Sequence, residues 1–174
     1  MTSHLHSYHR IINTIHKHWP MNIRLYQRGD IEQVTKLFQD TVSTLGHDDY
    51  SETEIRMWAP DTTHFRDWEE SCLQKFTLVA EVSNEIIGFA QLNNDGHINA
   101  FYCRPDHQGK GIGKKLYQII EDYALSKGIT KIYTEVHTSV RSFFTKLGFE
   151  SLQKQKVLIQ GDIKTNYVVL KELS

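Results

Sequence analysis

Apolar and polar side chains alternate along residues 21–27, MNIRLYQ, the period-two pattern of a strand with one buried face. Gly29 ends the run. Asp30 is placed to cap a helix reaching residue 45, since Ile31, Val34, Leu37, Phe38 and Val42 share one face at helical spacing. The polar stretch GHDDY, 46–50, then reads as a loop. Ser51 and Glu54 have capping-box spacing for a short helix ending near Pro60, and another short helix is predicted over 65–73. Three strand-like runs follow: FTLVAEV (76–82), EIIGFAQL (85–92) and HINAFYC (97–103). Ser83-Asn84 joins the first two as a tight hairpin, and NNDG, 93–96, forms the next turn. The period then lengthens: a helix is predicted over about 113–127, stopped by Gly128. A strand over 129–137, a short helix over 139–148 and two strands over 149–159 and 163–173, turning at Gly161-Asp162, complete the order β-α-α-α-β-β-β-α-β-α-β-β. The chain shows neither an internal repeat nor a linker rich in Pro, Gly or Ser, so residues 21–174 read as one domain behind an extension of residues 1–20.

Composition narrows the class. The chain has 174 residues, enough for one domain with a real core, and 39% apolar with 24% charged residues is ordinary globular usage. A formal net charge of -1 leaves no footprint for nucleic acid or a membrane surface beyond a local basic patch. Cys72 and Cys103, far apart and without a CxxC, point to neither a disulfide framework nor a zinc site. Their simplest reading is a pair of reduced thiols in the cytoplasm. Nothing in the sequence has the apolar length of a membrane span, and residues 1–20 lack the features of a secretory signal. That extension carries His4, His6, His9, His16 and His18 without an acidic or cysteine companion. It reads as a loosely docked or poorly ordered tail rather than a metal site. Met21, directly after Pro20, leaves open where translation begins.

The densest chemistry lies in RPDHQGKGIGKKLYQII, 104–120. Glycine gives up the most backbone freedom when fixed, which makes Gly109, Gly111 and Gly113 a costly way to begin a helix. A function offsets that cost: successive N–H groups in such a turn converge on one point, and the helix N-terminus adds orphan donors and partial positive charge. This is a cradle for phosphate oxygens, with Lys110 and Lys114 alongside. The spacing is neither the P-loop GxxxxGK[ST] nor the dinucleotide fingerprint GxGxxG, and the strands before it read as an antiparallel meander. Taken alone, the loop is equally readable as a solubilising glycine-rich turn.

RPDHQGKGIGKKL resembles motif A of the GCN5-related N-acetyltransferases, Q/R-x-x-G-x-G/A, with Gln108, Gly111 and Gly113 in the defining places. RSFFTKLGFE resembles the family's later helix-and-turn motif, and DYSETEIRMWAP with DGHINAFYCRPDHQG resembles a bacterial subgroup of small members. The resemblance covers the chain from Met21 to Leu173. It implies an α/β (α+β) fold: a mixed, mostly antiparallel sheet of six or seven strands with a splayed central pair, flanked by about four helices. It also implies acetyl-CoA as co-substrate, no metal, and a small-molecule or peptide amine as partner, with a homodimer left open. By this resemblance acetyl-CoA lies between strands 97–103 and 131–136. Its pantetheine pairs with the backbone of Phe101, Tyr102 and Cys103, and its pyrophosphate sits on the amides of Gly109, Lys110, Gly111, Ile112, Gly113 and Lys114.

A primary amine with a pKa of about 10 is mostly protonated at neutral pH, so transfer needs a base, an oxyanion donor and an acid for the thiolate. Glu135 is the base candidate by family position; the alternative is a strand glutamate paired with a lysine or arginine. Alternation puts Tyr133, Glu135 and His137 on one face and Ile132, Thr134 and Val136 on the other. The Tyr102 N–H is the candidate oxyanion donor. The family's usual tyrosine acid is here Phe144, which has no proton to give; Tyr167, Tyr102 or solvent can replace it. His97 is a proton relay or a surface histidine beside a turn. Cys103 reads as a small buried side chain, since direct transfer needs no nucleophile. Asp48, Asp49, Tyr50, Glu52, Trp58 and Trp68 are candidates for lining the amine site. The leading reading is therefore a cytoplasmic N-acetyltransferase. A non-catalytic acyl-CoA-binding module is the alternative, favoured by Phe144, and a nucleic-acid-binding domain is the weakest reading.

Overall fold

β1 (Met21–Leu25) buries Met21 and Ile23 and leaves Asn22 and Arg24 part-exposed, as its alternation requires. The computed structural model describes residues 21–49, 65–159 and 162–174. The expectations for the 1–20 extension, the 51–60 helix and the turn at Gly161 lie outside them. β1 pairs antiparallel with β2 (Phe76–Val82), which pairs with β3 (Glu85–Leu92), which pairs with β4 (Ile98–Cys103), giving a four-stranded sheet. Ser83 and Asn84 both adopt positive φ, 51° and 67°, the twist of a two-residue hairpin. A second sheet runs β5-β7-β6, from β5 (Lys131–His137), β6 (Glu150–Ile159) and β7 (Asp162–Glu172), all antiparallel.

Each face of the first sheet has its own apolar cluster. α1 (Ile31–Asp49) and α2 (Phe65–Gln74) cover one face, where Val34, Leu37, Phe38 and Cys72 meet Val79, Ile86 and Phe89. α3 (Ile112–Ser126) covers the other, and α4 (Thr138–Lys146) packs on β5 and β7 with Phe143 and Phe144 reaching Phe101. There Ile112, Leu116, Ile120 and Phe144 meet Ile87, Leu92, Ile98, Ile132 and Val136. Burying each such leucine or isoleucine contributes about 1.5–3 kcal/mol. β3 is covered on both sides, which explains its loss of alternation; even Gln91 is wholly buried. Its amide is satisfied by Thr77 Oγ1 at 3.2 Å and by Asn99 Nδ2 at 2.6 Å.

Two local expectations are corrected. α1 continues through GHDD to Asp49, because Gly46 costs only about 1 kcal/mol in a helix and the polar residues forbid nothing. The Asp30 carboxylate turns back to Gln27 N (2.8 Å) and the Arg24 guanidinium (2.7 and 3.0 Å). No helix among the described residues is long and apolar enough to cross a membrane.

The two sheets touch at one corner. His97 and Tyr133 form a single parallel bridge, Tyr133 N donates to Gly96 O at 3.1 Å, and Thr134 Oγ1 donates to Ile98 O at 2.9 Å. Past this staple β4 and β5 are not paired among the described residues, so they diverge toward Cys103 and His137.

Candidate functional site

The wedge begins with the edge of β4. Arg104 N donates to Ile87 O at 2.8 Å, and Phe89 faces Tyr102 while Ala90 faces Phe101. Antiparallel pairing alternates, so the main-chain groups of Tyr102 turn to β3 and those of Phe101 and Cys103 turn to the open edge. Tyr102 is therefore not the strand's free donor, a correction that follows from register alone. Asn99 is passed over where the pairing shifts from Ala100 to Ile98, a bulge beside the staple. The side chains of Phe101 and Cys103 pack toward α3 and α4, whereas Tyr102 packs against Phe38 and Phe89. Burial pushes the Cys103 thiol up to about 12, leaving it protonated at neutral pH.

After β4 the chain makes a 3-10 turn, Pro105–His107. Arg104 braces it, bonding Asp106 at 2.7 and 3.0 Å and Glu85 at 2.8 Å. The Arg104 bonds, then His107, hold the Asp106 carboxyl well below the usual carboxylate range. Exposed Gln108 follows in extended conformation. Gly109 and Gly111 then take left-handed φ of 76° and 81°, and a Cβ on either would meet nothing within 4 Å. The first α3 bond is Lys115 N to Gly111 O, 3.1 Å, so Ile112, Gly113 and Lys114 carry the helix's orphan N–H groups. The N-cap residue, Gly111, has no side chain to cap them. Buried Ile112 anchors the turn, while Lys110 and Lys114 are exposed at its mouth. Gly113 has a different cause: a Cβ there would come within 2.9 Å of the Phe143 ring, so its bareness lets α4 approach α3.

The opposite face of the wedge carries acid–base groups. β5 buries Ile132, Thr134 and Val136 and leaves Tyr133, Glu135 and His137 more exposed, as its alternation predicts. Glu135 pairs with His97 Nε2 through Oε2 at 2.7 Å, rather than with a lysine or arginine. The His97 ring stacks on Tyr133 (centroids 5.0 Å apart), and Tyr133 donates its hydroxyl to Asp95 at 2.8 Å. The other Asp95 oxygen accepts His97 N at 3.0 Å, and these two bonds hold the Asp95 carboxyl below its ordinary value. The sequence reading put Asp95 in a turn and Tyr133 on the Glu135 face of its strand but gave neither a role; the spacing Asp95-x-His97 at the head of a strand was the further signal.

Tyr167 lies opposite Val136 in the register, on the face away from Glu135, with the Arg141 guanidinium 4.3 Å from its ring centre. Phe144, 3% exposed, is enclosed by Phe101, Phe143 and Phe149. Of the amine-lining candidates, Trp68 wedges between Phe38 and Phe89 in the core. Asp48 and Asp49 fall in the last turn of α1, and Tyr50, Glu52 and Trp58 lie outside the described residues.

This arrangement can receive an extended ligand along β4, an anion at the head of α3 and a proton on the far side. Known proteins share the fold. The family model described as "Acetyltransferase (GNAT) family" matches residues 32–149. An uncharacterized N-acetyltransferase, YafP of Escherichia coli (strain K12), is 24% identical over 148 residues, covering 84% of this chain and 93% of that protein. The crystal structure of a GCN5-related N-acetyltransferase from Rhodopseudomonas palustris superposes with TM-score 0.80 at 26% identity, over 91% of this chain and 99% of that one. The PaiA N-acetyltransferase of Thermoplasma acidophilum, solved with coenzyme A, superposes with TM-score 0.75 at 22% identity, over 87% and 98%.

Proposed function

Because the chain belongs to the acetyltransferase (GNAT) family, we propose that it moves the acetyl group of acetyl-CoA directly to a primary amine of a small molecule or peptide. One observation carries the proposal: among the described residues the β4 edge is unpaired past the His97 bridge and leads into two left-handed glycines, with open space above both, and the glycine-capped head of α3. These residues fit the co-substrate. The N–H groups of Gly109, Lys110, Gly111, Ile112, Gly113 and Lys114 hold the diphosphate, aided by the Lys110 and Lys114 charges and by Gln108 before the turn. The Phe101 and Cys103 main chain pairs with the pantetheine amides as an added strand would. Acetyl-CoA, when bound, supplies an acyl thioester.

Glu135 takes the proton the amine must lose. Tyr167 is the remaining acid candidate on the α4 face, where Phe144 has no hydroxyl to offer. The protonated Cys103 thiol is a poor nucleophile, which supports direct transfer over an acyl-cysteine route. Two free cysteines support placement in the reducing cytoplasm.

The test is coenzyme A release from acetyl-CoA across a panel of amines, with calorimetry of coenzyme A binding. Turnover is expected on at least one amine. Gly111→Glu is expected to abolish binding by filling the cradle with a like charge. Glu135→Gln is expected to keep binding and lose about a hundredfold or more in turnover. No binding to the wild type overturns the proposal. Tight binding without turnover favours the second reading, an acyl-CoA-binding module, to which the buried Phe144 lends weight.

A further inference from the structure

At the root of the wedge, four side chains from two sheets form one unit: Asp95, His97, Tyr133 and Glu135. We propose that His97 is the positioning residue for Glu135, and that protonation of His97 switches off the amine side of the wedge. The inference rests on the transferase reading and assigns a regulator to its base.

Two heteroatoms 2.7 Å apart, His97 Nε2 and Glu135 Oε2, require a proton between them, because facing lone pairs repel. In the neutral ring this makes Nε2–H the donor to the carboxylate. That tautomer leaves the lone pair on Nδ1, which lies 3.5 Å from the Asn93 amide nitrogen. The ring is braced by its stacking on Tyr133, and Asp95 fixes the backbone that carries it. Oε2 is thereby committed, and Oε1 is the oxygen that receives a proton. The Glu135 side chain is 46% exposed, open to an incoming ammonium. The step is simple: the ammonium N–H breaks, an O–H forms on Oε1, and the carboxyl returns that proton to solvent.

A second proton on Nδ1 changes this. An imidazolium beside Glu135 favours the carboxylate and weakens it as a proton acceptor. It also sets a positive charge where a cationic amine arrives. Among the described residues the other charged groups here are few. Asp95 and Tyr133 are bonded to each other, and Asp95 also to His97 N. On the same face of β5, Lys131 pairs with Glu172 and His137 bonds Ser139. Transfer thus requires the neutral His97 ring.

The test is kcat/KM for the amine against pH in the wild type and in His97→Gln, which keeps an N–H donor but cannot titrate. The variant-to-wild-type ratio cancels the ionisation of the amine. It is expected to rise steeply, up to about tenfold per pH unit, as pH falls and the wild-type imidazole takes up its second proton; a ratio flat with pH overturns the proposal. Should the variant fail to fold, NMR titration of His97 in the wild type and Glu135→Gln decides: the midpoint falls when the carboxylate is removed, and an unmoved midpoint overturns the pairing. A wild type that binds coenzyme A but acetylates no amine overturns the transferase reading and this role with it. A flat ratio in an active enzyme overturns this role alone.

Discussion

Gly96→Ala is the sharpest test of how the two sheets are joined. Gly96 is buried in the β3–β4 turn with φ of 90°, and its carbonyl accepts Tyr133 N–H from β5. A Cβ there would overlap the Lys131 carbonyl oxygen and stand 3.1 Å from Ile129 Cγ2. Backbone oxygen cannot rotate aside, so a strand must move. The left-handed conformation costs a residue with a Cβ about 1–2 kcal/mol. Overpacking adds about 1–3 kcal/mol. The sum, about 2–5 kcal/mol, is a large share of a domain's usual 5–15 kcal/mol. Gly128→Ala supplies the control: its φ is 72°, yet a Cβ there meets nothing within 4 Å. Only the conformational penalty applies there, and any gain from stiffening the unfolded chain is common to both variants. Equilibrium urea unfolding at unchanged m value measures each loss. Gly96→Ala is expected to lose about 1–3 kcal/mol more than Gly128→Ala. Equal losses would refute the claim that backbone crowding holds the corner shut.

Acetyl-CoA incubated with the protein without amine should leave Cys103 unmodified, because its thiol, pushed up to about 12, is not a thiolate at neutral pH; an acetyl adduct on Cys103 by mass spectrometry would refute direct transfer. Burial raises the Asp30 carboxyl, but Arg24 and the Gln27 N–H outweigh it and hold it below its ordinary value. Its contribution to stability is therefore present above the unfolded value, about 3.9, and fades as pH falls through the folded one. Asp30→Asn should be less stable than the wild type at pH 7, with the gap shrinking toward about pH 3; a gap constant with pH in urea unfolding would refute the account.

Local pattern carried much of this architecture. β2 and β3 have the expected boundaries because two hairpin residues separate two apolar runs, and the alternation on β5 sorts its faces correctly. Gly109 and Gly111 also stood out, since glycine is a costly way to begin a helix unless the turn needs its freedom. What was not legible depends on partners distant in sequence. The roles of Gly113 and Asp30 are set by Phe143 and Arg24. The orientation of the Tyr102 amide is set by the β3 register, and the placement of Tyr167 across from Glu135's face by its pairing with Val136. The His97–Glu135 contact spans 38 residues and exists only because the sheets meet at that corner. Residue type suggests chemistry; register and face decide which of it is brought together.

The unpaired edge of β4 has a price outside the reaction. Bare strand borders recruit stray extended peptide and seed association between molecules, and folded proteins normally conceal them. Among the described residues no strand pairs with this one past His97, and in the proposed function acetyl-CoA lies along it. Binding to the native form alone also raises stability by mass action. On that proposal the unliganded molecule is the more vulnerable form, and its lifetime in a crowded solution follows the supply of acetyl-CoA.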